Sequence, residues 1–175
     1  LCVLANGAAE NNLIDCENED YKIFKKALNY ITTILSKEIA ADGEGATKLL
    51  ECRVKGAENK DTAKVVAKAV VGSSLVKAAM FGEDANWGRI LCAIGYSGAQ
   101  VNVNKIAVDF SSLSGSIAVC INGKGIPFSE EKAKKVLSEK EIAINIDLNS
   151  GKVEATAWGC DLTYDYVKIN GDYRT

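Results

Sequence analysis

Apolar residues fall at helical spacing from residue 24 onward. Phe24, Leu28, Ile31 and Leu35 recur every three or four positions, and Ala27, Ile34 and Ile39 widen the stripe. This period predicts an amphipathic helix. Asn18-Glu19-Asp20 supplies its cap and acidic first turn, and Gly43 suits a left-handed position beyond its end. The period then changes to two: over 47–54, Leu49, Glu51 and Arg53 alternate with Leu50, Cys52 and Val54, which predicts a strand. A second helix is predicted over 62–71, capped by Asp61 and closed by Gly72. The apolar run at 75–81 predicts a strand, and 86–96 a third helix with Ile90, Leu91 and Ile94 on one side. Strands are predicted over 106–110 and 117–121, then a helix capped by Ser129 that runs to residue 137. Two cleanly alternating runs, 142–148 and 153–158, flank Asn149-Ser150-Gly151 and predict a hairpin. Tyr164, Tyr166, Val167 and Ile169 predict a last strand over 164–169, and a short apolar run at 1–4 reads as the middle of a strand that ends at Asn6-Gly7.

Helices and strands are mixed, and the second half is richer in strands. The expected class is mixed α+β: a layered α/β part over 1–56 and a smaller α+β lobe over 57–175. Composition narrows the function. A net charge of −2, with Lys and Arg spread along the chain, leaves no basic patch for nucleic acid. No run of 18 uncharged apolar residues exists, so no membrane partner is expected. The six cysteines are scattered and sit mostly in apolar runs, where thiols pack as small hydrophobes. Cytoplasm is the simpler compartment. Histidine is absent, which excludes Ser-His-Asp and Cys-His activation within the chain; with no ligand spacing among the cysteines, no metal site is expected. The chain starts without Met or a basic region and reads as processed or truncated.

Three stretches carry candidate chemistry. Asp42-Gly43-Glu44-Gly45-Ala46-Thr47-Lys48 puts two carboxylates, a hydroxyl and an amine after the first helix. Its glycines let backbone approach a ligand, and Glu44 can hold a substrate ammonium. A plain helix end followed by a strand, with solvated Glu and Lys, fits the same residues. The order helix–loop–strand is the reverse of a phosphate-binding loop. In Gly82-Glu83-Asp84-Ala85-Asn86-Trp87-Gly88-Arg89, Asp84 can cap the next helix and Arg89 can pair with Glu83 or Asp84, a structural reading. The third stretch, Asn170-Gly171-Asp172-Tyr173-Arg174-Thr175, is rich in hydrogen-bonding groups at a chain end, where fraying is usual.

Taken together and in order, these stretches resemble the ornithine acetyltransferases, or glutamate N-acetyltransferases, of arginine biosynthesis. Val3-Leu4-Ala5-Asn6-Gly7, Leu75-Val76-Lys77, Asp161-Leu162-Thr163 and Tyr166-Val167-Lys168-Ile169-Asn170 extend the likeness over essentially the whole chain. The resemblance implies a layered fold of the self-processing, N-terminal-nucleophile type. It implies a precursor that cleaves itself before a Thr, and a ping-pong transfer of acetyl from N-acetylornithine to glutamate. An N-terminal Thr uses its own amine as base, which suits a chain without His. That Thr has no counterpart here: Leu1 corresponds to a position inside the β subunit, so this chain alone is expected to be inactive. No cofactor is implied, although some members accept acetyl-CoA. The implied partners are the α subunit of the same precursor, in a heterotetramer of two α and two β, together with the substrates N-acetylornithine and glutamate. Glu44 matches the carboxylate that holds the amino-acid substrate, and Asn170 and Thr175 match terminal residues that return to the site. Two other readings are an aminopeptidase-like self-processing hydrolase, with water as acceptor, and a non-catalytic amino-acid-binding module.

Overall fold

The computed structural model describes residues 3 and 5–172. The run at 1–4, Val3 apart, and Thr175 lie outside them. Two compact units are distinguished, Leu1–Glu38 and Ile39–Thr175. The first holds most of helix α1 (Glu19–Ala41). Asn18 caps it, its Oδ1 accepting from the Tyr21 N–H at 2.9 Å, and Glu19 and Asp20 lie in the first turn. The expected stripe forms, but α1 has no buried residue, and Phe24 and Ile31 are each about half exposed.

The second unit is built on one six-stranded sheet. Its strands are β1 (Leu49–Ala57), β2 (Ala107–Ser112), β3 (Gly115–Ile121), β4 (Lys124–Gly125), β5 (Glu141–Asp147) and β6 (Val153–Cys160), in the order β4-β3-β2-β5-β1-β6. Its helices are α2 (Lys60–Gly72), α3 (Ser74–Phe81), α4 (Trp87–Gly95), α5 (Glu130–Leu137) and α6 (Tyr164–Asp172). Helix α2 packs on β1 and β6, and α5 on β2 and β3. The alternation in the strands decides what lies beneath them: Leu50, Cys52 and Val54 of β1, Phe110 of β2 and Ile142, Ile144 and Ile146 of β5 are buried. The opposite face is polar. There Asn145 donates to Asp109 at 2.7 Å and to Ser111 at 2.9 Å, and Trp158 Nε1 donates to Glu51 at 3.0 Å. The mixed α+β class expected from the sequence is the class that forms.

The predicted hairpin does not form. The two alternating strands are β5 and β6, but β1 lies between them, parallel to β5 and antiparallel to β6. The turn residues instead wrap the end of β1: Leu148 N–H donates to the Lys55 carbonyl at 2.9 Å and Ser150 N–H to the Gly56 carbonyl at 2.8 Å. A Cβ on Gly151 would stand 2.1 Å from the Ala57 carbonyl oxygen, so only glycine allows the crossing. Alternation identifies a strand but not its neighbour, and five residues easily reach over one intervening strand, about 10 Å.

Two predicted strands are helices. Residues 75–81 form α3, because Ser73 caps the run and Val76, Ala79 and Met80 are buried at helical spacing. Residues 164–169 lie in α6, capped by Thr163, whose Oγ1 accepts from the Tyr166 N–H at 3.2 Å. Helix α6 buries none of its residues, so the β-branched and aromatic side chains that suggested a strand have no sheet to join. Other helix starts shift slightly. Asn59 rather than Asp61 caps α2, and Asn86 rather than Asp84 caps α4. Ser129 caps α5 as predicted.

Among the described residues, Cys52 and Cys120 are buried, Cys160 is half-buried, Cys16 and Cys92 are exposed, and these five are free thiols. Desolvation pushes both the Cys52 and the Cys120 thiols up, Cys52 far above the usual range. Because the thiolate is the reactive form, a disulfide-exchange reagent at neutral pH is expected to label Cys16 and Cys92 in the folded protein. Cys52 and Cys120 should react only after denaturant is added. Mass spectrometry of labelled peptides checks this; native labelling of Cys52 would contradict the packing of β1.

Candidate substrate-binding site

The connector 42–48 leaves α1 and enters β1, the strand flanked by β5 and β6. Its conformation rests on Gly45, not Gly43. Gly45 takes φ +65°, whereas Gly43 has ordinary φ and serves close approach: a Cβ there would meet Cys160 Sγ at 2.7 Å. The Ala46 N–H closes a tight turn on the Gly43 carbonyl at 2.9 Å. The turn holds Glu44 outward, exposed to solvent.

From the turn onward the connector is clamped to the segment between β6 and α6. Asp161, 3% exposed, accepts from the Thr47 N–H at 2.8 Å, from the Lys48 N–H at 3.0 Å and from the Thr47 hydroxyl. Its own N–H donates to the Lys48 carbonyl at 3.2 Å. Thr163 Oγ1 donates to the Gly45 carbonyl at 2.6 Å. These contacts orient α6 so that Asn170 meets the connector: its Nδ2 donates to Glu44 Oε2 at 3.0 Å and to the Tyr166 carbonyl at 2.9 Å. Two of the three residues singled out in the sequence, 126 positions apart, are therefore in direct contact. The third, Thr175, lies outside the described residues.

Of the remaining polar residues of the connector, Lys48 turns inward, whereas Asp42 and Thr47 are exposed. Lys48 is 9% exposed, and its ammonium donates to the Met80 carbonyl at 3.0 Å and the Leu137 carbonyl at 2.7 Å, with Glu83 at 3.6 Å. Those carbonyls belong to the last turns of α3 and α5. One buried cation thus satisfies two helix ends, where a positive charge is favoured. Thr47 is taken up by Asp161. Arg89 does not pair with Glu83 or Asp84; its Nη1 donates to the Leu75 carbonyl at 2.9 Å and ties α4 to α3. Asp84 accepts from Asn86 at 2.9 Å instead. Both contacts expected within 82–89 are thus replaced, the cap by Asn86 and the ion pair by a bond to a carbonyl.

Chemically, the pair presents one carboxylate oxygen engaged by an amide and an exposed side chain suited to a small cation. A hollow of about 540 Å³ does exist elsewhere, on the polar sheet face beside Arg53, Asp109, Asn145 and Thr156, and Glu44 does not line it. Among the described residues, no group of three or more His, Cys, Asp or Glu is arranged to hold a metal ion, and no helix is long and apolar enough to cross a membrane. Sequence reasoning missed the two clamp residues, Asp161 and Thr163. The local signal was an Asx and a Thr just ahead of Tyr164, an N-cap pattern; their bonds to the connector, more than a hundred residues away, had none.

A model described as the ArgJ family matches residues 1–175. The chain is 57% identical over 173 residues to the arginine biosynthesis bifunctional protein ArgJ 1 of Clostridium acetobutylicum, covering 99% of this chain and 42% of that protein. It is 54% identical over 173 residues to the arginine biosynthesis bifunctional protein ArgJ of Caldanaerobacter subterraneus, covering 99% and 43%. It thus spans less than half the length of these relatives. The crystal structure of the arginine biosynthesis bifunctional protein argJ from Bacillus halodurans superimposes with a TM-score of 0.90 and 48% identity, over 97% of this chain and 78% of that one.

Proposed function

This chain belongs to the ArgJ family, the ornithine acetyltransferases that its motifs resemble, and from that premise we propose that it forms the substrate-holding part of an enzyme moving acetyl from N-acetylornithine to glutamate. The observation that carries the reading is the 3.0 Å hydrogen bond between Asn170 and Glu44. It joins two residues that the family motifs single out, on an exposed surface with no structural need for a charge. N-acetylornithine has one cationic group, its side-chain ammonium, because its other amine is acylated. Glu44 receives that ammonium and Asn170 orients the carboxylate; Thr175 is the third residue that the family motifs assign to substrate binding.

The covalent steps take place on a Thr nucleophile supplied by the rest of the protein. Its oxygen bonds the acetyl carbon, the acetyl–nitrogen bond breaks, and ornithine leaves with the proton from the hydroxyl. The glutamate amine then attacks the ester, giving N-acetylglutamate and returning a proton to the Thr. No step needs a metal or an organic cofactor, and acetyl-CoA is an alternative donor. The subunit carrying this chain pairs with the α subunit cut from the same precursor, two of each in the assembly. Full-length protein given N-acetylornithine and glutamate is expected to form ornithine and N-acetylglutamate in equal amounts. Release of acetate without N-acetylglutamate would replace this reading with the hydrolase.

A further inference from the structure

Glu44 and Asn170 touch directly, and one buried hydroxyl bridges the two segments that carry them. We propose that Thr163 is a positioning residue of the substrate site, setting the spacing between Glu44 and Asn170 without touching substrate. The inference rests on the reading of Glu44 as the group that holds the substrate.

Thr163 is 4% exposed, whereas Glu44 and Asn170 are both exposed. Its Oγ1 donates to the Gly45 carbonyl at 2.6 Å and accepts from the Tyr166 N–H at 3.2 Å. A hydroxyl has one proton to give and lone pairs to receive, so the same atom fixes the connector and the first turn of α6. The contacts then close into a ring. Asn170 Nδ2 donates both to the Tyr166 carbonyl and to Glu44 Oε2, and Glu44 is joined to Gly45 by a peptide bond. Gly45 lets the two backbones meet: a Cβ there would stand 2.8 Å from the Tyr166 nitrogen.

Two facts separate this role from ordinary support. Asp161 already anchors Thr47 and Lys48 at the start of β1, so the strand is held without Thr163. Helix α6 buries no residue of its own, so its pose depends on its N-terminal contacts, among them the edge-to-face pair of Tyr164 with Phe81 at 5.3 Å. The Thr163 hydroxyl is the contact that joins the first turn of α6 to the Gly45 carbonyl, beside the Asn170–Glu44 bond further along the helix.

Helix capping needs only an acceptor at Thr163, whereas positioning also needs the donor to Gly45. Thr163→Asp keeps the acceptor and loses the donor, Thr163→Ala loses both, and Thr163→Ser keeps both. In steady-state kinetics on the full-length enzyme, Thr163→Asp and Thr163→Ala are each expected to raise the KM for N-acetylornithine about tenfold with kcat within about twofold, and Thr163→Ser to match the parent. In a Glu44→Ala background, Thr163→Asp should raise KM no further, because its effect passes through Glu44. A parental KM in Thr163→Asp, or in a soluble Thr163→Ala if the Asp variant does not fold, would overturn the proposal. So would an equal rise with and without Glu44. If Glu44→Ala alone leaves KM unchanged, the substrate reading of Glu44 fails, and the Thr163 proposal falls with it; a raised KM in Glu44→Ala beside a parental KM in Thr163→Asp removes Thr163 only.

Discussion

Asp161→Ala is expected to lower the stability of the protein by about 4 kcal/mol, since each buried donor left without an acceptor costs about 1–3 kcal/mol. The carboxylate is 3% exposed and receives the Thr47 N–H, the Lys48 N–H and the Thr47 hydroxyl. All three sit at the entry to β1, which carries Leu50, Cys52 and Val54 into the core. The Lys48 N–H is buried and is left unpaired when the acceptor goes, whereas the two Thr47 donors, on an exposed residue, are rehydrated in part. Asp161→Asn is the instructive contrast. Both backbone N–H groups bond the same oxygen, Oδ1, and an amide keeps one such oxygen. Only the hydroxyl contact must rearrange, for a loss of about 1 kcal/mol. Urea unfolding should show the midpoint falling steeply for Ala and slightly for Asn, with the denaturant slope unchanged in both. Equal stability of the parent and the Ala variant would show that the clamp contributes nothing.

How much of this was legible in the sequence follows from the range of each signal. Helices α1, α2, α4 and α5 announce themselves through caps within a turn of their starts and a regular apolar period, both local properties. Helix α3 misled because Leu75-Val76 looks like strand, while the cap at Ser73 and the burial of Val76, Ala79 and Met80 decide otherwise. Helix α6 misled for the same reason at Tyr164–Ile169, its cap at Thr163 going unread. The β5–β6 pairing failed on topology. Both strands were recognised, but that β1, about ninety residues earlier, inserts between them is a tertiary fact.

The site divides in the same way. Glu44 stood out through its flanking glycines, and the family motifs added Asn170 and Thr175. Lys48 and Thr47 looked equally chemical in the sequence, yet they are spent on helix ends and on Asp161. Distinguishing them required their distant partners, which a string of letters in a polar loop does not carry. Asp161 and Thr163 were part of the family likeness, but their clamp on the connector spans more than a hundred residues.

The second large effect concerns Glu44 itself. Glu44→Ala in the full-length enzyme is expected to lower kcat/KM for N-acetylornithine about 100-fold, mostly through KM, because the contact holds ground state and transition state alike. Its melting temperature should stay near the parent's, since Glu44 is exposed and its hydrogen bond to Asn170 lies on the surface. Glu44→Gln refines the test. It keeps an oxygen to accept from Asn170, and so keeps the ring through Thr163, while removing the charge that attracts the ammonium. The most direct measurement is therefore the KM for N-acetylornithine of full-length Glu44→Gln enzyme, alongside its melting temperature. The account predicts a KM raised about 30-fold or more at unchanged stability; a parental KM in that variant would contradict it.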